Sequence, residues 1–251
     1  MLTDERKNHL LKKLQRSGRL VAKDESRNLG LSEDTIRRDL REMAAGGKLK
    51  RVHGGAVPIS QDALTYPQRL PVASPEKIRI GERAAGLIEP GQVVFIDGGT
   101  TARQMARHLP LDLSATIITH SPSIAMELLA HENLTVELIG GRLFRHSVIA
   151  MGAEAMHQLD RTLPDACFIG VTGAHPEHGL TTGDSEEAQM KHRIIERSGE
   201  STILLSPEKI CAVSPYRVAE WPLIDRIVTH DLPNDFRQGL AAHQCEILDV
   251  G

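Results

Sequence analysis

The chain has 251 residues, of which 40% are hydrophobic and 25% charged, with a formal net charge of −3. Those figures describe an ordinary globular protein of one or two domains. They exclude a helical membrane protein, since no apolar run approaches the ~20 residues that cross a bilayer. The charged start MLTDERKNHLLKKL lacks the apolar core of a signal peptide, so a cytoplasmic location is expected. Cys167, Cys211 and Cys245 are too far apart for a metal pair or an obvious disulfide framework. Cys167, inside ACFIG, reads as a buried small hydrophobe. Neither metal nor cofactor is expected.

The net charge conceals an asymmetry. Residues 1–60 carry 14 Lys+Arg against 8 Asp+Glu, a net of +6, and the remainder carries 16 against 25, a net of −9. A basic head on an acidic body points the head at a polyanion. The head begins with a helix capped by Thr3, with Leu10, Leu11 and Leu14 on one face and Gly18 after its end. A short helix is expected from Lys23 to Leu29, stopped by Gly30. Ser32 is a good N-cap for a third helix, with Glu33 and Asp34 in its first turn where the dipole favours negative charge.

At 100° per residue, Ile36, Leu40 and Met43 form the buried stripe of that third helix. Arg37, Arg38 and Arg41 lie on the opposite arc beside Thr35, too many like charges for a core. Gly46-Gly47 ends the helix. KLKRVHGGAV then reads as strand, glycine turn and strand, which makes a wing. Three helices and a basic ribbon describe a winged helix-turn-helix, whose third helix enters the major groove of double-stranded operator DNA. Ser32, Thr35, Arg37, Arg38 and Arg41 are the candidate groove residues. Lys48, Lys50, Arg51 and His53 are candidates for the phosphate backbone.

SEDTIRRDL followed by GGKLKRVHGGA resembles the N-terminal signature of the DeoR family of bacterial transcriptional regulators, over about Glu5 to Val57. The chain departs from that pattern at Glu25 and Ser26, where the family has leucine and alanine, so an apolar anchor on the second helix is lost.

Residues 1–57 are therefore read as the DNA-binding domain and 58–75 as a linker. Pro58, Pro67, Pro71 and Pro75 mark that linker as an extended connector. Residues 76–251 are read as an effector-binding α/β domain. A helix restarts near Pro75 and runs to about Ile88. QVVFID, ATIITHS, LTVELIGG, ACFIGV, STILLS, DRIVTH and CEILDV read as strands. TTARQMARHL, PSIAMELLAHE, AMGAEAMHQL and SEEAQMKHRIIERSG read as helices between them. The alternation predicts βα units on a mostly parallel sheet, with ligands beyond the C-terminal strand ends.

The polar motifs gather at those ends. In IDGGTTA, Gly98 and Gly99 admit a ligand close to the backbone, and Thr100 and Thr101 open a helix, a phosphate seat. Asp97 could accept a bond from a sugar hydroxyl. Thr119 and Ser121 end the next strand, and Gly140 and Gly141 the third. Thr172, Gly173, Thr181, Thr182, Glu187 and Lys191 follow. The last two are spaced i, i+4, as either a functional pair or a surface ion pair worth about 0.3–0.5 kcal/mol. GGTT is neither GxGxxG nor a Walker A motif, so nucleotide binding through those motifs is not supported.

IDGGTTA, LIGGRLF, FIGVTGAHPEHGLTTGDSEEAQMK and the late EK are similar to the DeoR-type sensor domain. The resemblance implies a ribose-5-phosphate isomerase-like fold, a phosphorylated sugar or related effector, and a homodimer or homotetramer. It also implies that Asp97 to Thr101 form one wall of the pocket and Thr181, Thr182, Glu187 and Lys191 the other, with Lys209 nearby. Two departures stand out. His120 replaces an asparagine, and Ser206, Pro207 and Glu208 replace an Asp-Ser-Ser/Thr run, leaving only Lys209. The competing reading is a sugar-phosphate isomerase with Glu187 as base and Lys191 stabilising an enediolate. The chain lacks a Ser-His-Asp order, metal spacing or nucleophile elbow, and fold alone does not establish chemistry.

Overall fold

The computed structural model describes residues 3–17, 19–46, 48–57, 64–72 and 74–251. The head comprises α1 (Thr3–Ser17), β1 (Leu20–Val21), α2 (Ala22–Leu29), α3 (Glu33–Ala45), β2 (Lys50–Val52) and β3 (Gly55–Val57). Leu10, Leu14, Ile36, Leu40, Met43 and Leu49 fill its core, so the 100° stripe on α3 is the buried one. Gly30 closes α2 in the left-handed region, at φ 64°. Gly46 caps α3, while Gly18, Gly47 and Pro58 lie outside the described residues. The sequence did not signal β1. It pairs with β3, so the wing hairpin is the outer part of an antiparallel sheet of order β1-β3-β2.

Two charged side chains inside the head are paired. Asp39 is fully buried and accepts from Arg6 Nε at 2.5 Å and Nη2 at 3.1 Å, a fork that ties α1 to α3. Glu25 is also buried, and its carboxylate meets Lys13 of α1 at 2.7 Å. Where an apolar anchor is missing on α2, an ion pair takes its place.

The segment read as an extended connector contains a turn of helix, α4 (Tyr66–Arg69), and α5 (Ser74–Ala85) begins one residue before Pro75. Proline is compatible with a first helical turn, where its missing N–H has no partner to lose. Pro67 sits there, with Thr65 and Gln68 forming a capping box. Tyr66 and Arg69 are both buried, and the Tyr66 hydroxyl lies 3.3 Å from Ser123 Oγ of the body.

The body is built on β4 (Val93–Ile96), β5 (Ala115–Thr119), β6 (Leu134–Leu138), β9 (Ala166–Gly170), β12 (Glu200–Leu205), β14 (Arg226–Thr229) and β15 (Glu246–Asp249). They form one seven-stranded sheet, parallel throughout, in the order β15-β14-β12-β9-β4-β5-β6. The helices are α6 (Thr100–Arg107), α7 (Pro122–Glu127), α8 (Ala153–Leu159), α9 (Ser185–Arg197) and α10 (Asn234–Leu240). Two apolar clusters flank the sheet. One holds Phe95, Ile169 and Ile203, and the other Val94, Ile96 and Phe168, as alternation along doubly covered strands requires. Cys167 belongs to the first, and burial pushes its thiol up to about 12. Chain order leaves β4 toward β5 and β6, then returns to its other side at β9. The switch point therefore lies between β4 and β9.

Small antiparallel pieces complete the body. β7 (Arg142–Phe144) and β8 (Ile149–Met151) form a hairpin, so the start of AMGAEAMHQL is strand, not helix. β10 (Gly173–His175), β11 (Gly179–Thr182) and β13 (Tyr216–Ala219) form a second small sheet. Among the described residues no helix is long and apolar enough to cross a membrane.

Removing one partner of a buried ion pair strands the other charge. Asp39→Ala should therefore lower the head's stability by about 3 kcal/mol, read from its chemical denaturation midpoint. Glu42→Ala, which removes an exposed contact with Lys7, should leave that midpoint within error.

Candidate functional site

Ser32 caps α3. Its Oγ accepts the Thr35 N–H at 3.2 Å and shares a hydrogen bond with Thr35 Oγ1 at 2.8 Å. This cap orients the first turn, and Arg37, Arg38 and Arg41 all project to solvent on the far side from Ile36 and Leu40. In the free protein Arg37 pairs with Glu33 at 2.6 Å, and Arg38 lies 3.8 Å from Glu42. Exposed pairs of this kind are weak. They keep the arginines extended and yield readily to a phosphate or a guanine edge. Lys48, Lys50, Arg51 and His53 are exposed on the wing beside them, and Arg37, Arg51 and His53 border one shallow groove between α3 and the hairpin. The nine residues expected at a nucleic-acid face thus lie on α3 and the wing, with Thr35 half-buried and the rest exposed.

The second site lies at the switch point. Gly98 has no room for a side chain, since a Cβ there would stand 2.3 Å from Ile149 Cγ2, so glycine lets the β7–β8 hairpin close over the strand end. Gly99, at φ 111°, turns the chain into α6. The pocket so made holds about 350 Å³ of space including its mouth. Gly98, Gly99, Thr100 and Thr101 form one wall, and Thr172, Thr182, Glu187, Lys191 and Lys209 face them. Thr101 Oγ1 is buried and has no hydrogen-bond partner among the described residues, which leaves a donor for a ligand.

Asp97 does not reach the pocket. It is fully buried, and its carboxylate accepts from Gly98 N (2.7 Å), Gly170 N (2.9 Å), His120 Nε2 (2.8 Å) and Lys191 Nζ. With four donors in place it cannot take a sugar hydroxyl; it fixes Lys191 instead. Burial alone would push its carboxyl up, but Lys191 and His120 outweigh burial and hold it well below the usual range. Lys191 is also raised. Burial opposes its charge, and Asp97 and Glu187 overcome that.

Four other expected contacts lie behind the pocket wall. Ser121 Oγ donates to Val148 O at 2.8 Å and so anchors a β-branched residue held at φ 54°. Gly141 packs against the Met151 carbonyl and Gly173 against that of Ala212. Thr181 Oγ1 accepts from Ser214 N at 2.9 Å. None of the four lines the pocket. Glu187 and Lys191, in contrast, are buried and 3.6 Å apart, so they are not a surface pair. Glu187 also accepts from Ser147 Oγ and Thr182 Oγ1, both at 2.6 Å. A carboxylate whose two oxygens already hold hydroxyl donors is placed to orient the wall, not to abstract a proton.

Two polar side chains of the lining gave no sequence signal, Arg69 and Ser147. Arg69 stands in the proline-rich segment, and its guanidinium donates to the His146 carbonyl at the hairpin tip. Ser147 lies in RHSVI, which has no glycine turn to mark it. With Lys191 and Lys209, Arg69 makes the pocket cationic. Burial pushes Lys209 down to about 8; Glu208 opposes this, and Lys77, Arg69 and Lys191 add to the fall.

A basic winged helix on an α/β body with a cationic pocket at its switch point defines a DNA-binding transcriptional regulator with a sensor domain. The family description "DeoR-like helix-turn-helix domain" matches residues 6–62, and "DeoR C terminal sensor domain" matches residues 72–231. The chain is 34% identical to the HTH-type transcriptional regulator GlpR of Haloferax volcanii, over 99% of this chain and 98% of that one. It is 32% identical to the HTH-type transcriptional repressor GlcR of Bacillus subtilis, over 93% and 91%. Among solved structures, ribose 5-phosphate isomerase A from Methanocaldococcus jannaschii aligns with 53% of each chain, at 19% identity and a TM-score of 0.38. The chain belongs to the DeoR family of transcriptional regulators.

A lowered lysine pKa fixes the sign of a pH effect. Below about 8 the Lys209 ammonium is charged in the empty pocket, and above that it is neutral. An anion favours the charged form, so binding above this value takes up a proton. The affinity for inorganic phosphate should fall as pH rises through 8, by up to about tenfold per unit. Calorimetry between pH 7 and 9.5 reads this, and Lys209→Met should bind more weakly with the slope gone.

Proposed function

We propose that this protein is a repressor of a carbohydrate-metabolism operon, released from its operator when a phosphorylated sugar or related metabolite enters the body. The observation that carries the reading is the cationic pocket at the β4–β9 switch point. There a helix N-terminus, the unpartnered Thr101 hydroxyl and Lys209 line one cleft. Backbone N–H groups at a helix start and a lysine ammonium suit a phosphate, and the hydroxyls of Thr100 and Thr101 suit those of a sugar. Gly98, Gly99, Thr100, Thr101, Thr182, Lys191 and Lys209 are its proposed contacts.

On the DNA side, Arg37, Arg38 and Arg41 read the major groove while Ser32 and Thr35 set the helix start. Lys48, Lys50, Arg51 and His53 hold the backbone. The protein acts in the cytoplasm as a homodimer or homotetramer, since paired heads match half-sites about 34–36 Å apart per helical turn. The domain limits proposed are 1–57, 58–75 and 76–251, with the helical Tyr66–Arg69 segment at the body's edge.

Arg37→Ala with Arg38→Ala should weaken binding to the DNA upstream of the protein's own gene at least tenfold, and flatten its salt dependence by about 0.9 in log–log slope per lost phosphate contact. A mobility-shift titration at several salt concentrations reads both, and unchanged affinity counts against the α3 assignment. Thr100→Val with Thr101→Val should leave DNA affinity intact and remove release by sugar phosphates. A double variant that still responds refutes the phosphate seat.

A further inference from the structure

Lys77 on α5 is 2% exposed, yet it does not line the pocket. Its ammonium donates to the carbonyls of Arg69 at 3.1 Å and Val72 at 2.5 Å, the last residues of the α4 segment. It also pairs with Glu208 Oε1 at 3.1 Å. Glu208 sits in the 3-10 turn Pro207–Lys209, where Ser206 Oγ donates to the same carboxylate oxygen at 2.9 Å. One buried ammonium thus joins the backbone of the segment that carries Arg69 to the turn that carries Lys209. Both of those cations line the pocket.

Stability does not explain this pair. A buried ion pair is no better for stability than apolar residues of the same volume, and burial pushes the Lys77 pKa down despite Glu208. Glu208 Oε2 is buried as well, without a hydrogen-bond partner among the described residues. An arrangement that leaves such a group uncompensated is better explained by the register it imposes. Residues 64–72 are the stretch of chain that leads from the linker behind the head's last strand into the body. Anything that firms α4 against the pocket firms the body's end of the tether.

We propose that Lys77 and Glu208 are positioning residues that couple the pocket to the tether. They hold α4 so that an anion seated between Arg69 and Lys209 orders residues 65–72. The inference rests on the pocket being an anion site, and it assigns a role to Glu208, which stands where the family pattern has a small hydroxyl residue.

Hydrogen–deuterium exchange on the full chain, with inorganic phosphate as the probe, tests it. Calorimetry supplies the dissociation constant, and exchange is then compared with and without phosphate at ten times that value. In the wild type, phosphate should slow exchange across 65–72 about tenfold, as it should across the pocket wall at 98–103. In Glu208→Gln, phosphate should bind with a dissociation constant within about threefold of wild type and still protect 98–103. The protection of 65–72 should vanish. Lys77→Met with Glu208→Gln removes both charges and leaves neither stranded, so it keeps the test open if the single variant unfolds. Protection of 65–72 that persists in a folded variant overturns the coupling, as does a wild type that protects 98–103 alone. A wild type that binds no phosphate at all overturns the anion site instead, and the coupling with it.

Discussion

The sensor body depends on one carboxylate. Asp97 ends β4 at the place where strand order reverses, and its oxygens collect hydrogen bonds from β9 through Gly170 N, from β5 through His120 and from α9 through Lys191. Charges this deep are expensive unless every lone pair is used. Here the donors come from the ends of two neighbouring strands and from α9, beside the ladder bond from Asp97 N to the Phe168 carbonyl. The ionised carboxylate of Asp97 therefore cross-links α9 to strand ends whose register the ladder pairings already set. A neutral side chain would leave the buried Lys191 ammonium with only the more distant Glu187 carboxylate, at 3.6 Å. His120, where the family pattern has asparagine, presents a ring nitrogen to Asp97 at 2.8 Å and packs edge-on to Phe95.

The same logic holds the head together in miniature. Few apolar residues are available in fewer than sixty positions, and the Arg6–Asp39 fork sets how α1 lies on α3. That fixes which arc of α3 faces outward. In the free protein Arg37 meets Glu33, Arg38 lies near Glu42 and Arg41 Nε donates to the Arg37 carbonyl, a set of weak exposed contacts that cost little to break. Strong ion pairs sit inside, where they define geometry, and weak ones outside, where under the proposed function a phosphate would replace them.

What the sequence made legible follows from the range of the physics involved. The α3 stripe, the Ser32 cap and the wing are local patterns of three or four residues, and all are found as read. The parallel strands were legible for the same reason, as short apolar runs between glycine turns. Contacts set by distant parts of the chain were not. Nothing in IDGG says that its aspartate is filled from Gly170 and Lys191, so a buried structural carboxylate read as a ligand contact. Ser121, Gly141, Gly173 and Thr181 carried the right chemistry at strand ends, yet the hairpin and the second small sheet cover them. Arg69 was hidden because four prolines signalled extended chain. A proline in the first turn of a helix breaks no hydrogen bond, and Pro67 occupies that position.

The energetics of the pocket show why an anion can act as a signal there. Lys209 has a pKa lowered from 10.5 to about 8, a penalty on its charged form of roughly 3 kcal/mol, partly from burial and partly from its cationic neighbours. An empty pocket is thus a state in which like charges are held together by the fold. A phosphate supplies the missing negative charge, so it relieves that penalty only in arrangements where Arg69, Lys191 and Lys209 converge. A ligand shifts an equilibrium only by the difference in its affinity for the two states. Couplings between sites of about 1–3 kcal/mol are enough to change the second affinity by 5–150-fold. Under the proposed function, an uncharged sugar of the same shape would fill the hydroxyl contacts and leave the repulsion in place, so charge rather than shape would carry the signal.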